Sequence, residues 1–321
     1  MDKKEKMNGT FWKKVKKDEP ISKHTTLEIG GPAKYFIEAK NVDALTKAVL
    51  ECNKSKIKYF VLGKGSNILA SDDGFDGLLI VNKLVYVKEN KGKFTVGAGV
   101  TLLDFINNVV GKGYSGMEKM SGIPGTVGGA VYGNAGAYGQ WISEHLLKVI
   151  AFDGKRKRVF SKEECKFGYR DSIFKTNKNI IIEVVFEFER GEKEFLKKIS
   201  LDTIQLRAQK FFPGVKCPGS YFKNILASDL KPAVLKQIPE DKITFGKIAA
   251  GYLMESVGAK GVQKGNIKIA DNHGNLVINL GNGTAKEFLE LTSLYATKVK
   301  KKFGIELEPE VQMLGFDKNA N

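Results

Sequence analysis

The chain has 321 residues, room for two or three domains and a sizeable core, and a formal net charge of +16. No stretch approaches the roughly 20 apolar residues of a membrane span, and the lysine-rich N-terminus has no apolar segment of a secretory signal. Cys52, Cys165 and Cys217 are too widely spaced for a zinc site or a disulfide framework, so a reducing cytoplasm is expected.

The charge asks for an anionic partner: nucleic acid, an anionic membrane surface or a phosphorylated metabolite. The lysines are spread over the whole chain, which favours general attraction of anions over a nucleic-acid motif. The Lys298–Lys302 run reads as the cationic end of a helix.

In chain order, residues 1–20 read as a basic arm. Lys34–Ala39 reads as a strand, and Asn41 caps a helix with Leu45, Ala48, Val49 and Cys52 on one face. Lys58–Leu62 is a second strand, running into Gly63-Lys64-Gly65-Ser66-Asn67. This turn is neither a Walker loop nor a G-x-G-x-x-G fingerprint; it reads as a phosphate cradle or as an ordinary glycine turn. Leu78–Val87 and Lys93–Ala98 read as strands. Thr101 caps a helix that buries Leu102, Phe105, Ile106, Val109 and Val110 and stops at Gly111 and Gly113.

The run from Gly122 to Gly139 holds seven glycines in eighteen residues and no charge. Its glycine content argues against a regular helix. It reads as a buried loop around a large flat or phosphorylated ligand, its bare N–H groups forming an anion nest, or else as a glycine packing seam. Leu146–Phe152, Arg156–Phe160 and Ile180–Glu189 follow as strands, the last a central one by its β-branched density. Within Tyr169–Lys175, Arg170 is either a functional cation or one half of a structural ion pair. Glu192–Gln209 has helical period and ends in Phe-Phe-Pro-Gly, where a domain boundary is expected.

Beyond it, Lys216–Asn224 is a small-residue turn holding Ser220, Phe245–Val257 reads as a helix, and Leu276–Leu280 as a strand. Thr284 and Glu287 form a capping box for a helix ending near Gly304. Ile305–Leu314 closes the chain as a strand, with Glu306, Glu308 and Glu310 on one face.

The sequence has no HExxH, no cysteine pair and no GxSxG elbow, and only three histidines, His24, His145 and His273. That argues against a histidine triad or a histidine-rich metal site. Arg170, Ser220, carboxylates and lysines remain. A serine without a histidine base is a poor nucleophile, but it can donate a proton at close range. Redox chemistry would then come from a cofactor, and a glycine-lined loop with a phosphate cradle suits a flavin dinucleotide.

Gly63–Asn67, Gly122–Gly139, Tyr169–Lys175, Gly219–Asn224 and Leu307–Val311 together resemble the UDP-N-acetylenolpyruvoylglucosamine reductases, the flavoenzymes known as MurB, over about residues 20–315. The resemblance implies an α+β fold: a FAD-binding domain of the vanillyl-alcohol-oxidase (PCMH) type over 21–205, in lobes of about 21–85 and 86–205. A smaller α+β substrate domain over 206–321 would follow, with the closing strand returning to the active site. It implies non-covalent FAD held by Gly63, Gly65, Ser66, Asn67, Ile123, Pro124, Gly125, Gly128, Gly129 and Ala130. NADPH reduces the FAD, and hydride passes to C3 of UDP-N-acetylglucosamine enolpyruvate to give UDP-N-acetylmuramate for peptidoglycan. Arg170 would stabilise the enolate-like charge with Glu310 nearby as a further catalytic residue, and Ser220 would protonate C2, with Tyr169, Lys223, Asn224 and Asn275 contacting substrate. No metal, nucleic acid or obligate protein partner is implied. Glu310 is preferred to Glu308 because the family pattern ends in Pro-Glu-Val, matching Pro309–Val311. Gln312 stands where the family usually has arginine, Ile225 where proline is usual, and Pro218 where a smaller residue is common. The short connection after Tyr169–Arg170 points to the subtype lacking a tyrosine-bearing insertion. The alternatives are a flavin oxidase of an alcohol or sugar on the same fold, or a non-enzymatic binder of anions or nucleic acid.

Overall fold

Asn41 begins its helix as the capping rule requires: its side chain accepts from the Ala44 N–H at 2.8 Å, and the helix runs over Val42–Ser55. Leu45, Ala48, Val49 and Cys52 are buried against Leu78 and Ile80. The strands beneath lie in the order Lys16–Pro20, Pro32–Ala39, Phe75–Asn82, Lys58–Leu62. The last two are parallel, Lys58 opposite Gly77 and Leu62 opposite Val81. A second sheet has the order Lys157–Ser161, Leu146–Phe152, Ile180–Glu187, Lys93–Gly97, Val87–Asn90. Ile180–Glu187 sits at its centre and is buried along most of its length, which is why its sequence is mostly apolar, interrupted only at Glu183 before the terminal Glu187, rather than alternating. The Thr101-capped helix Leu102–Gly111 buries all five expected residues, and Phe105 meets Phe94 and Phe186 at centroid distances of 6.0 and 5.1 Å.

The computed structural model describes residues 10–316. The chain divides into two compact units: residues up to Glu19 with Ala33–Lys64 and Asp76–Phe211, and Pro20–Pro32 with Gly65–Phe75 and the chain from Phe212 onward. The linear division expected at about 205 is therefore not the division that contacts make. Two short N-terminal segments belong to the second unit because their partners are there. Ile68–Ala70 pairs in parallel with Gln312–Leu314, and Leu27, Ile29 and Leu69 enter a core with Phe288, Leu291, Tyr295 and Val299. The Asp72 carboxylate accepts from the N–H groups of Ala285 and Lys286 at 2.8 and 3.0 Å, at the start of the Ala285–Phe303 helix. That helix carries the expected Thr284–Glu287 capping box and ends at left-handed Gly304.

Several sequence expectations are corrected. Of the arm expected over 1–20, residues 1–9 lie outside the described residues. From Thr10 onward the chain packs, with Phe11 and Trp12 buried and their rings meeting edge-on at 5.1 Å. The strand expected over Leu78–Val87 ends at Asn82, whose Oδ1 accepts from the Leu84 N–H at 3.0 Å and turns the chain. The helix expected over Phe245–Val257 is confined to Ala250–Glu255. Phe245 and Gly246 both have positive φ, 51° and 68°, and join Ile243–Thr244 to Lys247–Ile248 as a hairpin. The closing strand is regular only over Gln312–Leu314. The alternation before it holds, with Ile305, Leu307 and Val311 buried. Among the described residues no helix is long and apolar enough to cross a membrane.

Candidate active site

The glycine run is not the continuous loop that composition predicts. It contains a short helix, Val127–Tyr132, capped by Thr126, whose Oγ1 accepts from the Gly129 N–H at 3.3 Å. Tertiary hydrogen bonds overcome the low helix propensity of glycine here. The Val127 and Gly128 N–H groups donate to the carbonyls of Val100 and Ala98, both at 2.9 Å, and the Gly125 carbonyl accepts from Leu102. The expected anion nest is therefore corrected at Val127, Gly128 and Gly129, whose N–H groups are engaged within the protein. A Cβ at Gly128 would lie 2.8 Å from the Ala98 Cβ, and one at Gly63 would lie 2.5 Å from the Thr126 Oγ1. The packing-seam reading of the glycine run holds at Gly128, and Gly63 is likewise hemmed in by the Thr126 side chain.

Gly129 is different. It is exposed, and apart from the Thr126 Oγ1 at 3.5 Å an added Cβ would meet open space. Beside it Pro124 is exposed, Ile123 and Gly125 are half-buried, and Ala130 is buried. This bare helix face fits the close approach of a flat ligand such as FAD, which any side chain at Gly129 would obstruct. Gly63→Ala is expected to displace the Thr126 hydroxyl from its cap and destabilise the protein by about 1 kcal/mol; an unchanged denaturant midpoint would refute this.

The Tyr169–Lys175 stretch is latched to the end of the same run. Gly168 and Asp171 exchange backbone hydrogen bonds, so Tyr169 and Arg170 form the tip of a tight turn. Asn134 Nδ2 donates to the Gly168 carbonyl at 2.8 Å, and the Ser172 hydroxyl donates to the Tyr132 carbonyl at 2.7 Å. Arg170 has a φ of 54°, an uncommon conformation for a residue with a side chain. Its Nη1 donates to the Gly136 carbonyl at 3.1 Å, its guanidinium stands 5.8 Å from the Tyr169 ring centre, and the Lys175 ammonium donates to its carbonyl. The Asp171 carboxylate accepts from the Ser172 N–H at 2.9 Å.

The Gly63–Asn67 turn is shared: Gly63 and Lys64 belong to the first unit, and Gly65, Ser66 and Asn67 to the second. Gly65 has a φ of 65°, and its carbonyl accepts from the Thr26 N–H at 3.2 Å; a Cβ there would strike the His24 carbonyl. Ser66 and Asn67 are half-buried.

Ser220 and Glu310 are brought close by main-chain pairing within the second unit. Ser220 bridges to Leu276 and Phe222 to Pro309, both antiparallel. The Glu310 N–H donates to the Tyr221 carbonyl at 2.7 Å, and the Lys223 N–H to the Glu308 carbonyl at 2.9 Å. On the far side of this segment, Asn67 Nδ2 donates to the Glu310 carbonyl at 3.1 Å and the Gln312 N–H to the Asn67 carbonyl at 3.0 Å. The serine turn, the glutamate segment and the Asn67 loop are thus consecutive neighbours. Glu310 is half-buried where Glu306 and Glu308 are exposed, which separates it from the other two residues on its face.

The three polar residues expected to contact substrate beside Ser220 have protein partners. Lys223 Nζ lies 2.5 Å from Glu308 Oε1, and Asn224 Oδ1 accepts from the Ala250 N–H at 3.2 Å. Asn275 is buried at 2% exposure, its Oδ1 accepting from the Phe222 N–H and its Nδ2 donating to the Phe222 carbonyl, both at 2.8 Å. It substitutes for a strand neighbour and holds the serine turn by its amide. Asn275→Leu leaves that N–H and carbonyl unpaired in the interior, at about 1–3 kcal/mol each. The expected outcome is a clearly lowered denaturation midpoint; a change under 0.5 kcal/mol, roughly the scale of a neutral surface substitution, would refute the role.

Burial pushes the Cys52 and Cys165 thiols up to about 12, each with a smaller push from the neighbouring Glu51 or Glu164. Both remain protonated at neutral pH, unsuited to nucleophilic catalysis. Because the unfolded chain releases these protons first, the two thiols make stability fall as pH rises from about 9 toward 12. Below that window, a thiol-specific reagent is expected to label both far more slowly in folded than in denatured protein.

The C-terminal domain model of UDP-N-acetylenolpyruvoylglucosamine reductase matches residues 212–314, and a FAD binding domain model matches residues 33–156. The UDP-N-acetylenolpyruvoylglucosamine reductase of Solibacter usitatus is 41% identical over 94% of this chain and 97% of its own. The chain belongs to the UDP-N-acetylenolpyruvoylglucosamine reductase family. The Bacillus subtilis reductase is 33% identical over 94% of each chain. The crystal structure of MurB from Thermus caldophilus superposes with a TM-score of 0.73, at 31% identity, over 94% of this chain and 98% of that one. The α+β fold expected from the MurB resemblance, a FAD-binding domain with the family's C-terminal domain, stands on these matches.

Sequence reading missed three residues that build the MurB-like elements. Thr126 and Asn134 are small polar groups inside the glycine run: Thr126 caps the helix within the run, and Asn134 ties the run to Gly168. Arg207 is the third. The signal that could have found it is rarity: the chain has 52 lysines and arginines but only five arginines, of which Arg207 is one.

Proposed function

We propose that this chain reduces UDP-N-acetylglucosamine enolpyruvate to UDP-N-acetylmuramate with NADPH and FAD, a step of peptidoglycan precursor synthesis. The observation that carries the reading is the pairing of the Ser220 turn beside the Glu310 segment, on a chain that matches a MurB family member over 94% of its length. Gly129, with Ile123, Pro124, Gly125 and Ala130 around it, would hold FAD, aided by the Gly63–Asn67 turn. Bound FAD would supply the hydride that reaches C3 of the enolpyruvyl group.

Each remaining task falls to a side chain of this protein. Negative charge develops at C2 and the carboxylate, and Arg170, fixed by its turn and by the Gly136 carbonyl, stabilises it. The Ser220 hydroxyl delivers a proton to C2. A hydroxyl is a very weak acid, so the transfer works only to a strongly basic carbon and at short range. Glu310 lies one strand from that serine and orients the polar groups at the reacting carbon. Tyr169, Lys223 and Asn224 are proposed substrate contacts, Lys223 by exchanging its exposed Glu308 partner for the anionic sugar nucleotide. Asn275 acts through the turn it holds.

The test is spectroscopic. Purified protein is expected to show flavin absorbance, to be bleached by NADPH, and to recover its colour under anaerobic conditions when the enolpyruvyl UDP-sugar is added. Protein that binds no FAD overturns the reading. Recovery only with oxygen, together with bleaching by an alcohol or sugar, assigns it to the oxidases instead.

A further inference from the structure

Arg207, on the Lys193–Lys210 helix, has no part in the chemistry above. Its Cδ would lie 3.3 Å from a Cβ on Gly122, where the glycine run begins. Its guanidinium carbon stands 5.3 Å from the centre of the Phe211 ring. The Tyr138 hydroxyl hydrogen-bonds to it, and Arg170 is close enough for the two positive charges to act on each other. Its Nε is buried without a hydrogen-bond partner. Burial, and after it the like charge of Arg170, pulls the Arg207 pKa below the usual arginine range, and Tyr138 opposes them. Two guanidinium groups along one glycine run, Arg207 beside Gly122 and Arg170 on the Gly136 carbonyl, with the Arg207 Nε buried and unpaired, make an arrangement that an arriving anion relieves. The planar fork of arginine matches carboxylate and phosphate oxygens.

We propose that Arg207 and Arg170 form a two-guanidinium receptor for anionic oxygens of a ligand bound along the glycine run. The proposal rests on the reading of the chain as a FAD-dependent reductase, which offers two sources of such oxygens: the FAD pyrophosphate and the enolpyruvyl carboxylate.

The experiment compares holoenzyme carrying Arg207→Gln or Arg207→Lys with the parent. FAD dissociation is measured by fluorescence titration, KM and kcat with the enolpyruvyl UDP-sugar, and the melting temperature with and without ligand. Arg207→Gln is expected to raise either the FAD dissociation constant or the substrate KM at least tenfold, and Arg207→Lys to recover part of the loss. A rise in the FAD constant assigns the oxygens to the pyrophosphate; a rise in KM with FAD binding unchanged assigns them to the carboxylate. The ligand-free melting temperature is expected to hold or to rise, because a like-charge contact is removed, while the increase on ligand binding shrinks. The proposal is overturned if both constants stay within twofold, or if ligand-free stability falls while the ligand-induced increase is intact. Parent protein that binds no FAD would instead remove the reductase reading, an outcome distinct from either result with the variants.

Discussion

Ser220→Ala is expected to slow reoxidation of the NADPH-reduced enzyme by the enolpyruvyl UDP-sugar by about 10²–10⁴-fold, the usual worth of a positioned proton donor. Bleaching of the flavin by NADPH should continue at close to the parent rate. The asymmetry follows from where the serine lies. Its backbone is fixed by pairing with Leu276 on one side and, two residues on, with Pro309 on the other. Gly219, with a φ of 87°, sets the turn before it. Truncation to alanine removes one oxygen and leaves these main-chain bonds in place, so the turn should keep its fold. Stopped-flow traces in which both half-reactions slow equally would deny Ser220 the proton transfer.

Arg170→Gly should separate rate from stability. Removing the cation that meets developing negative charge is expected to cost about 10²–10³ in the second half-reaction. The backbone effects oppose each other. Arg170 holds a φ of 54°, where glycine escapes a penalty of roughly 1–2 kcal/mol, but glycine also enlarges the freedom of the unfolded chain. The variant should therefore fold with stability within about 1 kcal/mol of the parent. Arg170→Lys restores charge but loses the planar fork whose Nη1 holds the Gly136 carbonyl, and should recover only part of the rate. A normal product-forming rate in either variant would remove Arg170 from the chemistry.

What was legible in the sequence was what local rules decide. Asn41, Thr101 and Thr284 announce their helices because the bond each side chain makes is three residues away. The centrality of Ile180–Glu187 was legible because burial on both faces removes alternation. What stayed hidden depends on distant partners. The helix inside the glycine run exists because Val127 and Gly128 bond to Val100 and Ala98, and composition alone argues the other way. Asn275 carries the residue type of a substrate contact, yet its amide is committed to Phe222, and only the fold brings those two together. Arg207 was hidden by periodicity, which marks the apolar face of a helix and not the polar residue at its border that turns inward. Of the candidate site, the glycine run, the Arg170 turn and the Ser220 and Glu310 segments were read as motifs. The Ile68–Ala70 pairing with Gln312–Leu314, which sets the Asn67 loop beside Glu310, was not.

That last pairing has a consequence for how the molecule is made. Asn67 leaves the ribosome 243 residues before Glu310, the residue it holds. At about 5–20 residues per second, the Gly65–Phe75 segment waits roughly 12–50 s for its permanent neighbours. Throughout that interval the nascent chain displays an unpaired apolar edge at Ile68, Leu69 and Ala70, and a carboxylate at Asp72 with no helix to cap. Loss of Gln312–Leu314 would therefore injure a segment made more than 240 residues earlier.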